Sequence, residues 1–463
     1  MSIDMHPTSH PTSNATSHQD DATGPPAAAR SGPVARIIAG SLAAGAATAL
    51  VLALVVFAGG TESVITGSML AGFGSGWALI GALTSRYTTR PQHWAVVPAV
   101  FMGGTGVALL LFTPGYDALT WLGWVWPPAV LALAVWMFVQ FRRAVTGAGR
   151  RMLIPVVAVL GLASLGATYE NIAQHSDQGT YAAPGKSYQV DGHRLHLDCR
   201  GHGGPTVVLS NGLGEISASW ARIAGPVGAT TRVCAYDRAG QGWSEDAQHP
   251  QDGVSAAEDL HTLLARAGET GPFVLVGHSV GGTYAMTYAA RYPEQVAGMV
   301  LLDSSSPYQL TKVAAYPGQY AVMRRGLALL PTAARLGLAR LAPAPHLPAP
   351  AGVQVQALTS TAKAMRNGRD EISVAPDVFA QAQALTTLGE RPLAVLTTSE
   401  SLGGAGWAGA QDQLAELSTN RVHRTVDSTH AGLVDDALPA AQSVRAIDRV
   451  VIAVRTGTPL EPK

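Results

Sequence analysis

The stretch 274-VLVGHSVGGTYAM-286 decides how this chain reads. Apolar β-formers lead into Gly277-His278-Ser279-Val280-Gly281, and a run with helical spacing follows. A serine set between glycines, where a strand becomes a helix, sits on a sharp turn that exposes its hydroxyl as a nucleophile. A glycine-rich bend that merely holds a serine has the same local pattern, so the flanking sequence must separate the two.

Outward from this stretch, short strands alternate with helices. "KSYQVDG" and "HRLHLDCRG" read as two strands joined by Asp191-Gly192, a hairpin signal. "PTVVLSNGLG" is a buried strand running into glycines, and "TRVCAYDRAGQGWS" is a strand with a turn. "AAEDLHTLLARAG" and "TYAMTYAARYPEQV" have helical spacing. "AGMVLLDSSSP", "RPLAVLTTSE" and "NRVHRTVDSTH" read as further strands, and "AAQSVRAIDRVVIAV" as a closing helix. An antiparallel start followed by this alternation predicts an α/β domain over 186–458 with a mostly parallel sheet. Ligand sites in such sheets lie beyond the carboxyl ends of the strands. Ser279, Asp303 and His430 all fall at predicted strand ends or just past them. The segment 307–390, rich in Ala, Leu and Pro, is long for a connection and has helical apolar spacing, which predicts an inserted helical cap.

Upstream the composition shifts. Over the whole chain only 13% of residues are charged, 47% are apolar and the formal net charge is zero, which leaves no basic patch for nucleic acid. Residues 1–32 are polar and low in complexity, which predicts a disordered tail. Within 33–169, apolar runs recur at about 34–58, 63–84, 94–112, 122–141 and 151–168. Each is near the ~20 residues a helix needs to cross a bilayer core, which predicts an all-α transmembrane domain of about five helices. The last run is the shortest and contains Pro155. Arginines occupy alternate breaks and the span edges beside them: Arg30 and Arg36 at the start of the first run, Arg86 and Arg90 after the second, and Arg142, Arg143, Arg150 and Arg151 between the fourth and the fifth. The other breaks carry only Glu62 or Asp117. Arginine marks the cytoplasmic side, so the N-terminus is expected in the cytoplasm and the α/β domain outside. The spans hold essentially no charge at depth, unlike most transporters and channels. Their glycines, such as Gly72, Gly74, Gly76, Gly103 and Gly106, fit close helix packing.

Taken together, residues from about 186 to 455 resemble the α/β-hydrolase family. The resemblance rests on Gly-x-Ser-x-Gly at 277–281, on "YDRAGQGWS" after the fourth strand and on a late histidine in "STHAGLVDD". It implies a serine hydrolase in which Ser279 attacks an acyl carbon and His430 is its base, in the family's chain order of Ser, acid, His. The acid departs from the commoner pattern. After "PLAVLTT" the matching position is Ser401, with Glu400 one residue early. Some lipases of the family carry the acid after the preceding strand, where "VLLDSSSP" puts Asp303. Asp303 is therefore the first candidate and Glu400 the alternative, with Asp412 and Asp427 behind them. The backbone N–H groups of Val280 and Leu213 are the implied oxyanion donors, although the usual His-Gly is here Asn211-Gly212. Gly277 and Gly281 let the elbow turn sharply. In the family's strand order the second and fourth strands are neighbours, which brings Cys199 and Cys234 together, either as a disulfide in an oxidising compartment or as two buried thiols.

No clustered metal-ligand set appears in the sequence, and Ser279 stands where epoxide hydrolases and haloalkane dehalogenases have a carboxylate nucleophile. The expected function is a membrane-embedded serine hydrolase facing outward from the cell membrane. Its expected substrate is a lipid or other small-molecule ester, with amide or peptide bonds second. Nucleic acid, cofactor and metal are not expected. A non-catalytic ligand- or partner-binding domain is the alternative, motivated by the displaced acid and the altered His-Gly.

Overall fold

The structure is a computed structural model that describes residues 32–461. Apart from Gly32, the predicted tail 1–32 lies outside the described residues, as does Arg30 of the orientation argument. The first helix, α1 (Gly32–Val51), runs on through a π-helical turn at Leu52–Val56. It is followed by α2 (Glu62–Tyr87), α3 (Val96–Phe112), α4 (Tyr116–Ala144) and α5 (Gly147–Thr180). Among the described residues, five helices are long and apolar enough to cross a membrane, the first counted to Val56 and the third from His93. Their glycines permit backbone contact: a Cβ on Gly72 would lie 2.4 Å from the Ala49 nitrogen, and one on Gly74 would lie 2.4 Å from the Gly103 Cα.

The fifth helix differs most from its expected range. Predicted as the shortest apolar run, 151–168, it is the longest helix of the group at 34 residues. Past Thr168 the helix continues through polar residues. There Glu170 and Asp177 both pair with Arg340, so contacts outside the apolar run hold the extra turns.

The chain then builds β1 (Lys186–Val190), β2 (His193–Arg200), β3 (Val207–Ser210), α6 (Ala221–Thr230), β4 (Val233–Tyr236), α7 (Gly253–Ala267), β5 (Phe273–His278), α8 (Gly281–Arg291) and β6 (Val296–Leu302). Four helices follow before the next strand: α9 (Gln309–Lys312), α10 (Tyr316–Arg335), α11 (Ala351–Thr359) and α12 (Ala362–Ala382). These form the cap. The domain closes with β7 (Leu393–Thr398), α13 (Ser399–Leu402), α14 (Trp407–Ala415), β8 (Arg421–Val426), α15 (Gly432–Asp435) and α16 (Ala437–Thr456).

The eight strands form one sheet in the order β1-β2-β4-β3-β5-β6-β7-β8. β1–β2 and β2–β4 are antiparallel and all other pairs are parallel. The β1–β2 hairpin turns at Asp191 and Gly192, both with positive φ. The central strands are buried on both faces, as helix-covered parallel strands are. Along β5, Phe273 and Leu275 join the core on one face, and Val274 and Val276 join the core on the other. Cys199 and Cys234 are register partners across β2 and β4, and their sulfurs form a disulfide. Strand order reverses between β3 and β5, so the loops leaving their carboxyl ends diverge around a crevice. The segment after β3 and the elbow after β5 flank it.

Candidate active site

Ser279 is the junction between β5 and α8, with φ +55°, a conformation that a non-glycine residue adopts only when its surroundings impose it. The backbone on both sides is pinned to the end of β6 and the segment that follows it. The Ser279 N–H donates to the Leu302 carbonyl at 3.1 Å, and the Ser305 N–H donates to the Ser279 carbonyl at 2.9 Å. The flanking glycines are sterically required. A Cβ on Gly277 would sit 2.4 Å from the Gly282 Cα, and one on Gly281 would sit 2.2 Å from the Ser210 carbonyl oxygen. Ser279 itself is half-buried.

Asp303, just past β6, is fully buried and also has positive φ, +41°. Its Oδ2 accepts from His430 Nδ1 at 2.6 Å, from Ser401 Oγ at 2.5 Å and from Thr398 Oγ1 at 3.0 Å. Burial pushes this carboxyl up, but the hydrogen bonds from His430 and Ser401 outweigh it and hold the group below its ordinary range. Glu400 engages the same histidine differently: its Oε2 accepts from the His430 backbone N–H at 2.6 Å. The two candidate acids thus divide the work, with Asp303 on the ring and Glu400 on the main chain. Asp412 contacts His423, and Asp427 accepts from Ser399. The His430 side chain is 39% exposed, and among the described residues its Nε2 has no partner.

The segment after β3 is held from beneath by Asn211. Its amide donates to the Tyr236 carbonyl at 2.9 Å and to Gln241 at 3.0 Å, and its Oδ1 accepts from the Trp220 indole at 2.7 Å. A Cβ on Gly212 would lie 3.1 Å from the Ser279 Cβ, so this backbone runs against the elbow. Among the described residues, neither the Val280 nor the Leu213 N–H has a protein acceptor. Unpaired main-chain donors beside a half-buried serine are the arrangement an oxyanion needs.

Sequence reasoning missed Glu215. Its carboxylate accepts from the Gly212 N–H at 2.5 Å and from His278 Nδ1 at 2.5 Å. His278 Nε2 in turn donates to the His430 carbonyl at 3.0 Å. A ring facing a carboxylate and a carbonyl satisfies both acceptors only when doubly protonated. Burial disfavours that charge, but the Glu215 carboxylate more than offsets it and raises the His278 pKa. Burial likewise pushes Glu215 up, and the attraction of His278 with its hydrogen bonds pulls it below its ordinary value. One ion pair therefore ties together the β3 segment, the elbow and the loop that carries His430. The available signal was a lone acid in the otherwise uncharged loop "NGLGEISASW".

Among the described residues, the compact cluster of metal-ligand types is Cys199, Cys234 and Glu269, and its two sulfurs are joined to each other.

Residues 205–348 match a family model described as alpha/beta hydrolase fold. The chain thus carries a domain of α/β-hydrolase fold behind a group of helices apolar enough to span a membrane. Over 117 residues it is 40% identical to lipase LipV of Mycobacterium tuberculosis, a match covering 24% of this chain and 41% of that protein. Over 247 residues it is 28% identical to an uncharacterized protein of Schizosaccharomyces pombe, covering 46% of this chain and 44% of the other. The solved structure of the Cif epoxide hydrolase from Acinetobacter nosocomialis is similar with a TM-score of 0.50 at 16% identity, covering 61% of this chain and 95% of that one. That likeness is one of fold. The chain spans less than half the length of the curated relatives it matches first.

Proposed function

We propose that the chain is a membrane-embedded serine hydrolase that cleaves an ester or related acyl bond through an acyl-enzyme. The observation that carries this reading is the 2.6 Å hydrogen bond from His430 Nδ1 to buried Asp303, with Ser279 held at positive φ on the adjoining elbow. Ser279 Oγ attacks the acyl carbon and passes its proton to His430 Nε2. Asp303 keeps Nδ1–H oriented and stabilises the imidazolium. The Val280 and Leu213 N–H groups receive the developing oxyanion. The leaving alcohol takes the proton from Nε2. Water, deprotonated by His430, then releases the acid and restores Ser279. A serine at the elbow argues against epoxide opening or dehalogenation by a carboxylate nucleophile.

The proposed orientation puts the N-terminus in the cytoplasm and the hydrolase domain outside the cell membrane. The basic breaks at Arg86, Arg90, Arg142, Arg143 and Arg150 support it. A disulfide in the domain suits an oxidising compartment. The cap also packs where the breaks carry no arginine: Arg335 of α10 pairs with Glu62 and lies over the Tyr116 ring.

Release of p-nitrophenol from p-nitrophenyl butyrate by the purified full chain tests the chemistry. Ser279→Ala is expected to reduce it to background, and a folded Ser279→Ala protein with the wild-type rate contradicts the proposal. Labelling of intact cells by a membrane-impermeant fluorophosphonate tests the orientation; labelling only after lysis reverses it.

A further inference from the structure

Helix α10 links the elbow to the membrane helices. Tyr316, Tyr320, Met323 and Leu327 recur at helical spacing, so they share one face of α10. They pack with Leu310 and Val280 around Ile372, Ala375 and Phe379 of the cap. Each of the four keeps part of its surface open. An apolar, half-covered strip thus begins at the residue after the nucleophile. It ends on the spans: Ala328 and Leu329 pack with Ala53, Ile65 and Met69 of the first two membrane helices. Thr332 and Thr66 share a hydrogen bond of 2.8 Å beside that contact.

The cap is fixed in this pose by ion pairs to the second and fifth of these helices. Arg335 pairs with buried Glu62, and Arg340 pairs with buried Glu170 and with Asp177. The Arg325 Nε donates to the Leu54 carbonyl at 3.2 Å. A buried carboxylate without its cation is costly, so these contacts specify where the cap sits. On the same segment as the anchors the cap exposes Val322 (71%), Leu338 (52%) and Leu341 (80%), all large apolar side chains.

Resting on the serine-hydrolase reading, we propose that the substrate is a long-chain ester drawn from the bilayer leaflet beside the cap, with its acyl chain lying along the α10 strip. From Tyr316 to Leu327 the helix rises roughly 16 Å. That matches the hydrocarbon depth of one leaflet, about half of ~30 Å. A chain leaving the leaflet at Ala328 and Leu329 would have apolar side chains beside it as far as Val280. The acyl group passes to Ser279 Oγ, and the alcohol leaves with the proton from His430. One water then supplies the hydroxyl of the released fatty acid.

The test uses the full chain in phosphatidylcholine vesicles with p-nitrophenyl acetate and p-nitrophenyl myristate. Wild type is expected to favour myristate by at least about tenfold in kcat/KM, the scale on which apolar contacts discriminate. Met323→Trp and Leu327→Trp, which fill the strip, are expected to lower the myristate-to-acetate ratio by about tenfold or more. Met323→Ala and Leu327→Ala, which only shorten side chains, are expected to move the same ratio by a smaller factor. Fluorophosphonate labelling of each variant reports an intact, activated Ser279. Where a tryptophan variant loses labelling, the alanine pair decides. A labelled wild type that prefers acetate, or a ratio that none of the variants moves, overturns the lipid proposal alone. Absence of labelling and of turnover on both esters in folded wild type overturns the hydrolase reading itself.

Discussion

Two regions at the carboxyl end of the sheet each hold a histidine–carboxylate pair, and the two imidazoles lie only 4.7 Å apart. They differ in what surrounds the ring. His430 is 39% exposed and ties one nitrogen to Asp303, leaving the other without a partner among the described residues. His278 is 2% exposed and ties both nitrogens, one to Glu215 and the other to the His430 carbonyl. A ring with a free nitrogen beside an exposed cleft can take a proton and return it. A buried ring with both nitrogens engaged holds a fixed charge and a fixed shape. On the proposed function the same two residue types serve proton transfer in one place and positioning in the other, and burial decides which.

Substitutions on the two pairs should therefore separate by orders of magnitude. The largest loss is expected for His430→Ala, roughly a millionfold in kcat on a p-nitrophenyl ester, because the nucleophile loses its base. Asp303→Asn should cost about ten-thousandfold by presenting the wrong tautomer while leaving the fold intact. If Asp303→Asn kept near-wild-type turnover, the acid would have to be sought elsewhere, with Glu400 first.

Glu215→Gln should cost roughly a hundredfold, an effect of misplaced oxyanion donors and not of lost chemistry. It should also change the pH dependence of stability. The folded His278 pKa is raised above about 6.5, so its share of the pairing is complete below that value and is lost as pH rises through the raised folded value. The folded Glu215 pKa is lowered below about 4.5, so its share is present above that value and is lost as pH falls through the lowered one. The Tm difference between wild type and Glu215→Gln should be greatest between these limits and shrink on the alkaline side. A difference that stays flat to high pH would show that His278 carries no charge. The smallest effect is expected for Glu400→Gln, less than about tenfold, since its hydrogen bond reaches only the His430 main chain.

The difference between the pairs also marks what the sequence could disclose. Ser279, Asp303 and His430 stood out because each follows a strand with its own local signature, and strand ends are where such sheets place chemistry. The apolar runs were equally local, so the apolar helices fell close to their expected ranges, α5 excepted. Glu215 had no such signal: its partner His278 is 63 positions away, and only the fold brings them together. The same holds for Glu62 and Glu170, whose cap arginines are 273 and 170 positions distant. Helix α6 was hidden for a different reason. Its Gly225-Pro226 pair reads as a breaker, yet Ile223 and Val227 are fully buried against the sheet, and tertiary packing overrides the weak propensity. The polar end of α5 was invisible for the same reason as Glu170, because the contacts that hold it come from the cap.

The central claim is that the Asp303–His430 pair activates Ser279. It is tested most directly by treating the native full chain with a fluorophosphonate and locating the adduct by peptide mass spectrometry. A single adduct on Ser279, lost in folded His430→Ala, is the predicted result. An unmodified Ser279 in the folded wild type, or an adduct that forms equally well in His430→Ala, contradicts the account.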